Sequence, residues 1–251
     1  MAMARPSSKR PMHDPLPVIG ILKLETRFER FIGDIGNPDS LPYPTLIETV
    51  AGATADKVTS LKDDSLLDPF IAAGKRLVAK GANAITTTCG FLVLYQRELA
   101  RHLPVPVATS SLLQIPIAQA LLPAGKRVGV LTFDGANLGP RHLAAAGAPL
   151  DTAVVGLDRA SAFRADILGG PPVTSELRRA DALCCAAELA RQEPQLGAVV
   201  IECTNMAPYS AAIGAELGVP VFDTVTLVEW LATGVRPHVY AGTRRTAGGS
   251  T

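Results

Sequence analysis

Long hydrophobic runs are missing from this sequence. None approaches the roughly 20 apolar residues that a bilayer-spanning helix needs. Charge of one sign is also missing: 24 Lys and Arg stand against 23 Asp and Glu, a formal net charge of +1. That balance gives no electrostatic reason to expect nucleic acid or an anionic membrane surface as a partner. Four cysteines in 251 residues are too few for a disulfide scaffold. Histidine is equally scarce. His13, His102, His142 and His238 fall in tails, helix ends or loops, and each reads as a surface residue. No Cys-x-x-Cys or His-x-x-x-His spacing suggests a metal. No Gly-x-Gly-x-x-Gly follows a strand, and there is no phosphate-binding Gly-x-x-x-x-Gly-Lys-Ser/Thr loop and no Gly-x-Ser-x-Gly elbow. The expectation is an enzyme without cofactor or metal. Met1 to Pro17 holds basic residues and prolines but no apolar core. It reads as a flexible lead-in rather than a secretory signal, which makes the cytoplasm the default location.

What is present is an ordinary globular balance, 47% hydrophobic and 19% charged. Short apolar runs read as buried parallel strands at Val18–Leu24, Ala84–Thr87, Val105–Ala108, Val128–Phe133, Ala153–Leu157, Ala198–Ile201 and Val219–Phe222. Stretches with helical spacing lie between them, at Leu66–Lys80, Phe91–Arg101, Leu112–Leu122, Thr174–Gln192 and Pro208–Leu217. Alternation of this kind predicts an α/β fold with helices on both faces of parallel sheet.

The strongest organisational signal is an internal repeat. Val18-Ile19-Gly20-Ile21-Leu22 opens one half and Val128-Gly129-Val130-Leu131-Thr132 the other. The run Gly81–Cys89 then matches Gly197–Cys203. Each cysteine is followed by a helix and by a strand entered through Val-Pro-Val, and the same interval of 17 residues separates Cys89 from Pro106 and Cys203 from Pro220. The repeat predicts two pseudo-symmetric, doubly wound parallel-sheet lobes with the active site in the cleft between them. Residues 17–122 form the first lobe and residues 123–222 the second. A C-terminal helical segment, 223–240, packs back on the first lobe, and residues 1–16 and 241–251 are flexible tails.

Open α/β sheets bind ligands at the carboxyl ends of their strands. Cys89 and Cys203 sit at that edge by pattern, each between a strand and a helix. A helix N-terminus offers free N–H groups and the positive end of the macrodipole, so both thiols are expected to lose their protons more readily than usual. Their neighbours Thr87, Thr88, Gly90, Thr204 and Asn205 are small and polar, and suit a carboxylate ligand. Two such sites facing each other suit a two-base reaction, in which one thiolate removes a proton next to a carboxyl group and the opposite thiol returns one. Cys184 and Cys185, inside a helical pattern, read as packing residues.

The pairing of Thr87-Thr88-Cys89-Gly90 with Glu202-Cys203-Thr204-Asn205 resembles the aspartate/glutamate/hydantoin racemase superfamily, whose members work without pyridoxal phosphate. The resemblance covers roughly Pro17 to Trp230. It implies that Cys89 and Cys203 are the acid/base pair and that Thr88, Gly90 and Thr204 help bind the substrate carboxylate. Glutamate racemases carry an Asp-Ser-Gly type of turn after the first strand and aspartate racemases a Gly-Gly turn; here Lys23-Leu24-Glu25-Thr26 follows instead. The next stretch, Gly33-Asp34-Ile35-Gly36-Asn37-Pro38 ahead of Leu41-Pro42-Tyr43-Pro44, is similar to a branch that also contains the algal dimethylsulfoniopropionate lyases. By position over the cleft, Asp34, Asn37 and Tyr43 are candidates for substrate contact. Glu25 and Thr132, each beside the first strand of a lobe, are weaker ones.

The first expectation is therefore a cofactor-independent racemase or epimerase of a small α-substituted carboxylate. The alternative is a lyase, in which one cysteine removes the α-proton and a β-leaving group departs. A decarboxylase needs only one of the two cysteines. A non-catalytic ligand-binding protein gives no reason for a pair. Dimers are common among such enzymes, so a homodimer is the assembly to test.

Overall fold

A computed structural model describes residues 16–237; apart from Leu16, the expectations for the two tails lie outside them, as do His13 and His238. Strands β1 (Ile19–Leu24), β2 (Thr45–Val50), β3 (Ala84–Thr87) and β4 (Val107–Ala108) form one sheet in the order β2-β1-β3-β4. Strands β5 (Arg127–Thr132), β6 (Ala153–Gly156), β7 (Leu196–Ile201) and β8 (Val221–Phe222) form a second in the order β6-β5-β7-β8. Every pairing is parallel. The two halves thus repeat one topology, and the equal cysteine spacing reappears as equal register: Ile85 pairs with Val107 and Val199 with Val221.

The central strands are apolar on both faces, as doubly covered parallel strands must be. Alternate residues serve different cores. Val128, Val130, Ala198 and Val200 join the cluster that holds Leu22, Ile85, Leu112 and Ile115, so the two lobes share one interior. Leu131, Val199 and Ile201 face outward onto the helix Ser175–Gln192, packing with Ala182 and Leu189. The helix Thr224–Val235 packs Leu227, Val228 and Leu231 on Ile19, Ile21 and Ala84 of the first sheet.

Sequence pattern missed β2. Its residues Thr45-Leu46-Ile47-Glu48 are only half-buried and follow two prolines, so they lack the apolar continuity of the central strands. The short helices Ala55–Thr59, Pro140–Ala145 and Ala162–Ile167 were also unpredicted. A second difference bears on the site. The segments after both cysteines begin as 3-10 turns, Gly90–Tyr95 and Thr204–Tyr209, and become α-helical only at Gln96–His102 and Ser210–Leu217. No helix among the described residues is long and apolar enough to cross a membrane.

Candidate active site

Strand order places β1 and β3 side by side while their connections leave in opposite directions, which opens a crevice at their carboxyl ends. Thr88 closes its floor: its hydroxyl accepts the Leu24 N–H at 3.1 Å, and its own N–H donates to the Leu22 carbonyl at 3.1 Å. Cys89 follows, half-buried and open to the crevice; Cys203, at the equivalent end of β7, is buried. Both thiols line one small pocket together with Thr88, Glu202, Thr204 and Asn205, and with Arg30 and the rings of Phe28, Phe91 and Phe133.

Buried hydrogen bonds hold the lobes together at this point. The Thr204 hydroxyl donates to the Thr88 carbonyl at 2.9 Å, and the Ser111 hydroxyl donates to the Ile201 carbonyl. Gly90 is required by the same seam. A Cβ there would stand 2.6 Å from Glu202 Oε1 and 2.8 Å from the Glu202 carbonyl oxygen.

Glu202 stood in the sequence only as the residue before Cys203 and was not among the site candidates. It lies in the pocket, 1% exposed, accepting the Thr132 hydroxyl at 2.6 Å. Burial pushes its carboxyl up to about 7; Thr132 and the N–H groups of Phe133, Phe91 and Gly90 only partly offset that.

The expectation that both thiols ionise easily is overturned. Burial raises the Cys89 thiol, the Glu202 carboxylate raises it further, and the Phe91 N–H and Arg30 offset part of this. Cys203 is pushed well above the ordinary thiol value, first by burial, then by Glu202, with Cys89 adding to it. The physical reason is that a short 3-10 segment supplies few aligned dipoles, while removal of a thiolate from water costs more than those dipoles return.

Arg30 was not anticipated. Its Nη1 binds both carboxylate oxygens of Asp34 at 2.9 Å, its Nη2 donates to Thr26, and it lies over the Phe28 ring. The only available signal was a basic residue on the long loop after β1. Asp34 stands one layer behind the pocket, 1% exposed, and accepts from the Asn205 side-chain amide and the Gly36 N–H. Gly33, at φ 103°, lets this loop lie against Pro208, whose Cα would be 2.8 Å from a Cβ at 33.

The remaining candidates do not line the pocket. Glu25 turns outward and accepts the Gly52 N–H. Asn37 caps the turn Pro38–Ser40 and donates to the Arg30 carbonyl. Tyr43 packs against the core beneath the last helix. Thr87 bonds to the Thr109 and Cys89 carbonyls, and Thr132 reaches the pocket only through Glu202. In each case a short local hydrogen bond or core contact satisfies the side chain before a ligand can. His142 departs from its surface reading: it is fully buried, edge-on to Phe91 at 5.2 Å between ring centres. Among the described residues no cluster of His, Cys, Asp and Glu is arranged to hold a metal ion.

No protein-family model matches the chain. In sequence it is 27% identical over 224 residues to a dimethylsulfoniopropionate lyase of Durusdinium sp. clade D, covering 86% of this chain and 74% of that one. It is 30% identical to dimethylsulfoniopropionate lyase 5 of Emiliania huxleyi (strain CCMP1516) over 86% of this chain, but only 45% of that protein's length is spanned. For lyase 7 of the same organism, also 30% identical, 64% is spanned. Solved structures of the same fold include arylmalonate decarboxylase (TM-score 0.57, 15% identity, 87% of this chain and 92% of that one). Allantoin racemase of Pseudomonas fluorescens scores 0.55 at 15% identity, over 90% of this chain and 100% of that one. A glutamate racemase of Bacillus anthracis scores 0.54 at 13% identity, over 88% and 83%. In fold the chain is like the racemases and arylmalonate decarboxylase, and in sequence it is similar to the dimethylsulfoniopropionate lyases. A cysteine stands at both strand ends here, and the loop that carries Asp34 reaches Asn205, two residues after Cys203.

Proposed function

We propose that the chain is a lyase that eliminates a β-leaving group from a small carboxylate, with a sulfonium carboxylate such as dimethylsulfoniopropionate as its substrate class. The observation that carries this reading is the meeting of Cys89 and Cys203 in one pocket whose lining combines apolar side chains with the charged Arg30 and Glu202. A thiolate removes the α-proton; the C–H electron pair becomes the new C=C bond; the C–S bond breaks, and its electrons leave with dimethyl sulfide. Acrylate remains. A high thiol pKa is no obstacle once the substrate is bound, because it makes the thiolate a stronger base toward a weakly acidic carbon, and a sulfonium cation beside it offsets the buried negative charge. Leu24, Phe91, Phe133 and Ile167 suit the methyl groups, Glu202 the cation, and Arg30 with the Thr88 hydroxyl the carboxylate.

Racemisation is the second reading, favoured by the presence of two thiols where elimination needs one base. The names of the sequence relatives support elimination ahead of it, a reversal of the order expected from sequence. Headspace analysis for dimethyl sulfide and proton NMR for acrylate, with dimethylsulfoniopropionate as substrate, test the proposal directly. Loss of optical rotation and α-deuterium uptake from heavy water on an amino-acid or hydantoin panel, without any alkene, would establish the racemase instead.

A further inference from the structure

The two thiols are not equivalent. Glu202 borders both and so does not separate them. Backbone donors lean toward an anionic Cys203, one N–H (Phe91) approaching Cys89 and two (Asn205 and Met206) approaching Cys203. Two other contacts point to Cys89. Arg30, a pocket-lining cation, favours the anionic form of Cys89, and Cys89 is the thiol open to the cleft. Cys203 instead faces the side-chain oxygen of Asn205, with Sγ and Oδ1 3.9 Å apart.

The orientation of that amide is determined by its other end. Asn205 Nδ2 meets Asp34 Oδ2, and an ionised carboxylate only accepts. The NH₂ group must therefore face Asp34, which turns the carbonyl oxygen toward the thiol. Asp34 cannot swing away, since Arg30 holds both its oxygens and the Gly36 N–H binds Oδ1 at 2.8 Å. An acceptor oxygen beside sulfur favours S–H and repels S⁻.

We infer that Asp34 and Asn205 are positioning residues that keep Cys203 as the protonated thiol and leave Cys89 as the base. The inference rests on the reading of the pocket as a site of α-proton removal. Under it, Cys89 S⁻ takes the α-proton and becomes S–H, and the C–H electrons form the alkene as the leaving group departs with its pair. If an enolate is reprotonated instead, Cys203 S–H supplies the proton to the opposite face and becomes the thiolate.

Iodoacetamide labelling read by peptide mass spectrometry tests the division without reference to any substrate. Asn205→Ala removes the acceptor, and Asp34→Asn permits the amide to turn over. Each is expected to speed alkylation of Cys203 about fivefold, the worth of one ordinary hydrogen bond; Cys89 stays unchanged in Asn205→Ala, whereas Asp34→Asn frees the Arg30 charge and quickens Cys89 as well. Buried Cys185, in the core of the second lobe, stays unlabelled as long as the variant is folded. An unchanged Cys203 rate in a folded variant, or an equal rise at Cys89 in Asn205→Ala, overturns the inference. Kinetics supply a second arm that needs neither variant. With dimethylsulfoniopropionate, Cys89→Ser should lose about a thousandfold in elimination rate, a typical share for a positioned base, and Cys203→Ser should lose far less. The reverse order overturns the inference. A wild-type chain that neither cleaves nor exchanges the substrate, yet shows the labelling pattern, sinks the lyase reading and leaves the division of the thiols standing.

Discussion

Thr204 crosses from the second lobe to donate its hydroxyl proton to the backbone carbonyl of Thr88 at 2.9 Å. Each residue is the chain neighbour of a pocket cysteine, so this one bond ties the two thiols to a common frame. Thr204→Val leaves a buried carbonyl without its donor and is expected to cost about 1–3 kcal/mol. Thr204→Ser should recover most of it. Urea denaturation of the three proteins measures the difference, and kcat should fall with the valine variant because the spacing of the thiols loosens.

Gly90→Ala drives a methyl group into Glu202 and its backbone oxygen, at 2.6 Å and 2.8 Å. The side chain can swing but the carbonyl cannot without moving β7. A loss of about 1–3 kcal/mol is expected, as for other overpacked sites. Thermal unfolding will show it, and an unchanged melting temperature would contradict the close approach.

Glu202 makes stability depend on pH in an unusual direction. Its carboxyl titrates at about 7 in the fold against an ordinary 4.5, so the native state binds the proton more tightly than the unfolded chain does. The penalty is absent below about pH 4.5, grows as pH rises, and is complete above 7, where it amounts to about 3 kcal/mol. Glu202→Gln should remove this slope and be the more stable protein at pH 8. Denaturant midpoints of both proteins at pH 5 and pH 8 will decide.

His142 works in the opposite sense. Burial, with Arg141 adding to it, lowers its imidazole from 6.5 to about 4. The unfolded chain therefore binds the extra proton first, and stability is lost as pH falls from about 6.5 toward 4. His142→Phe should flatten this acid limb while keeping the edge-on contact with Phe91. Melting temperatures recorded between pH 4 and pH 7 will separate the two titrations, since each variant abolishes one slope.

The pair Arg178–Asp166 is fully buried at 2.6 Å, with the guanidinium among the rings of Phe28, Phe31 and Phe163. Asp166→Ala strands a buried cation and is expected to cost about 3–5 kcal/mol. Phe28 lines the pocket, so KM should rise with the loss of order in its loop; equilibrium unfolding and steady-state kinetics on the same variant measure the two effects.

Much of this molecule was legible before folding. The apolar continuity of β1, β3, β5 and β7 marks buried parallel strands. The repeated interval from each cysteine to its Val-Pro-Val shows the duplication, because equal spacing along two chains of equal topology gives equal register. The edge strand β2 escaped because edge residues are not uniformly apolar. Glu202 and Arg30 escaped because isolated charged residues carry no pattern: whether they face water or a pocket depends on what stands opposite. His142 was misread for the same reason, since its burial comes from Phe91, a residue of the other lobe.

Local sequence by itself determined the α/β alternation, the duplication and the two strand ends at which the cysteines stand, because strand and helix periodicity and turn residues act over a few positions. Only the tertiary structure decided the charge state of the site. Desolvation, the Glu202 carboxylate and the Arg30–Asp34–Asn205 chain come from segments far apart in sequence, and electrostatic energies in a buried pocket depend on distance in space and exclusion of water, neither of which a linear pattern contains.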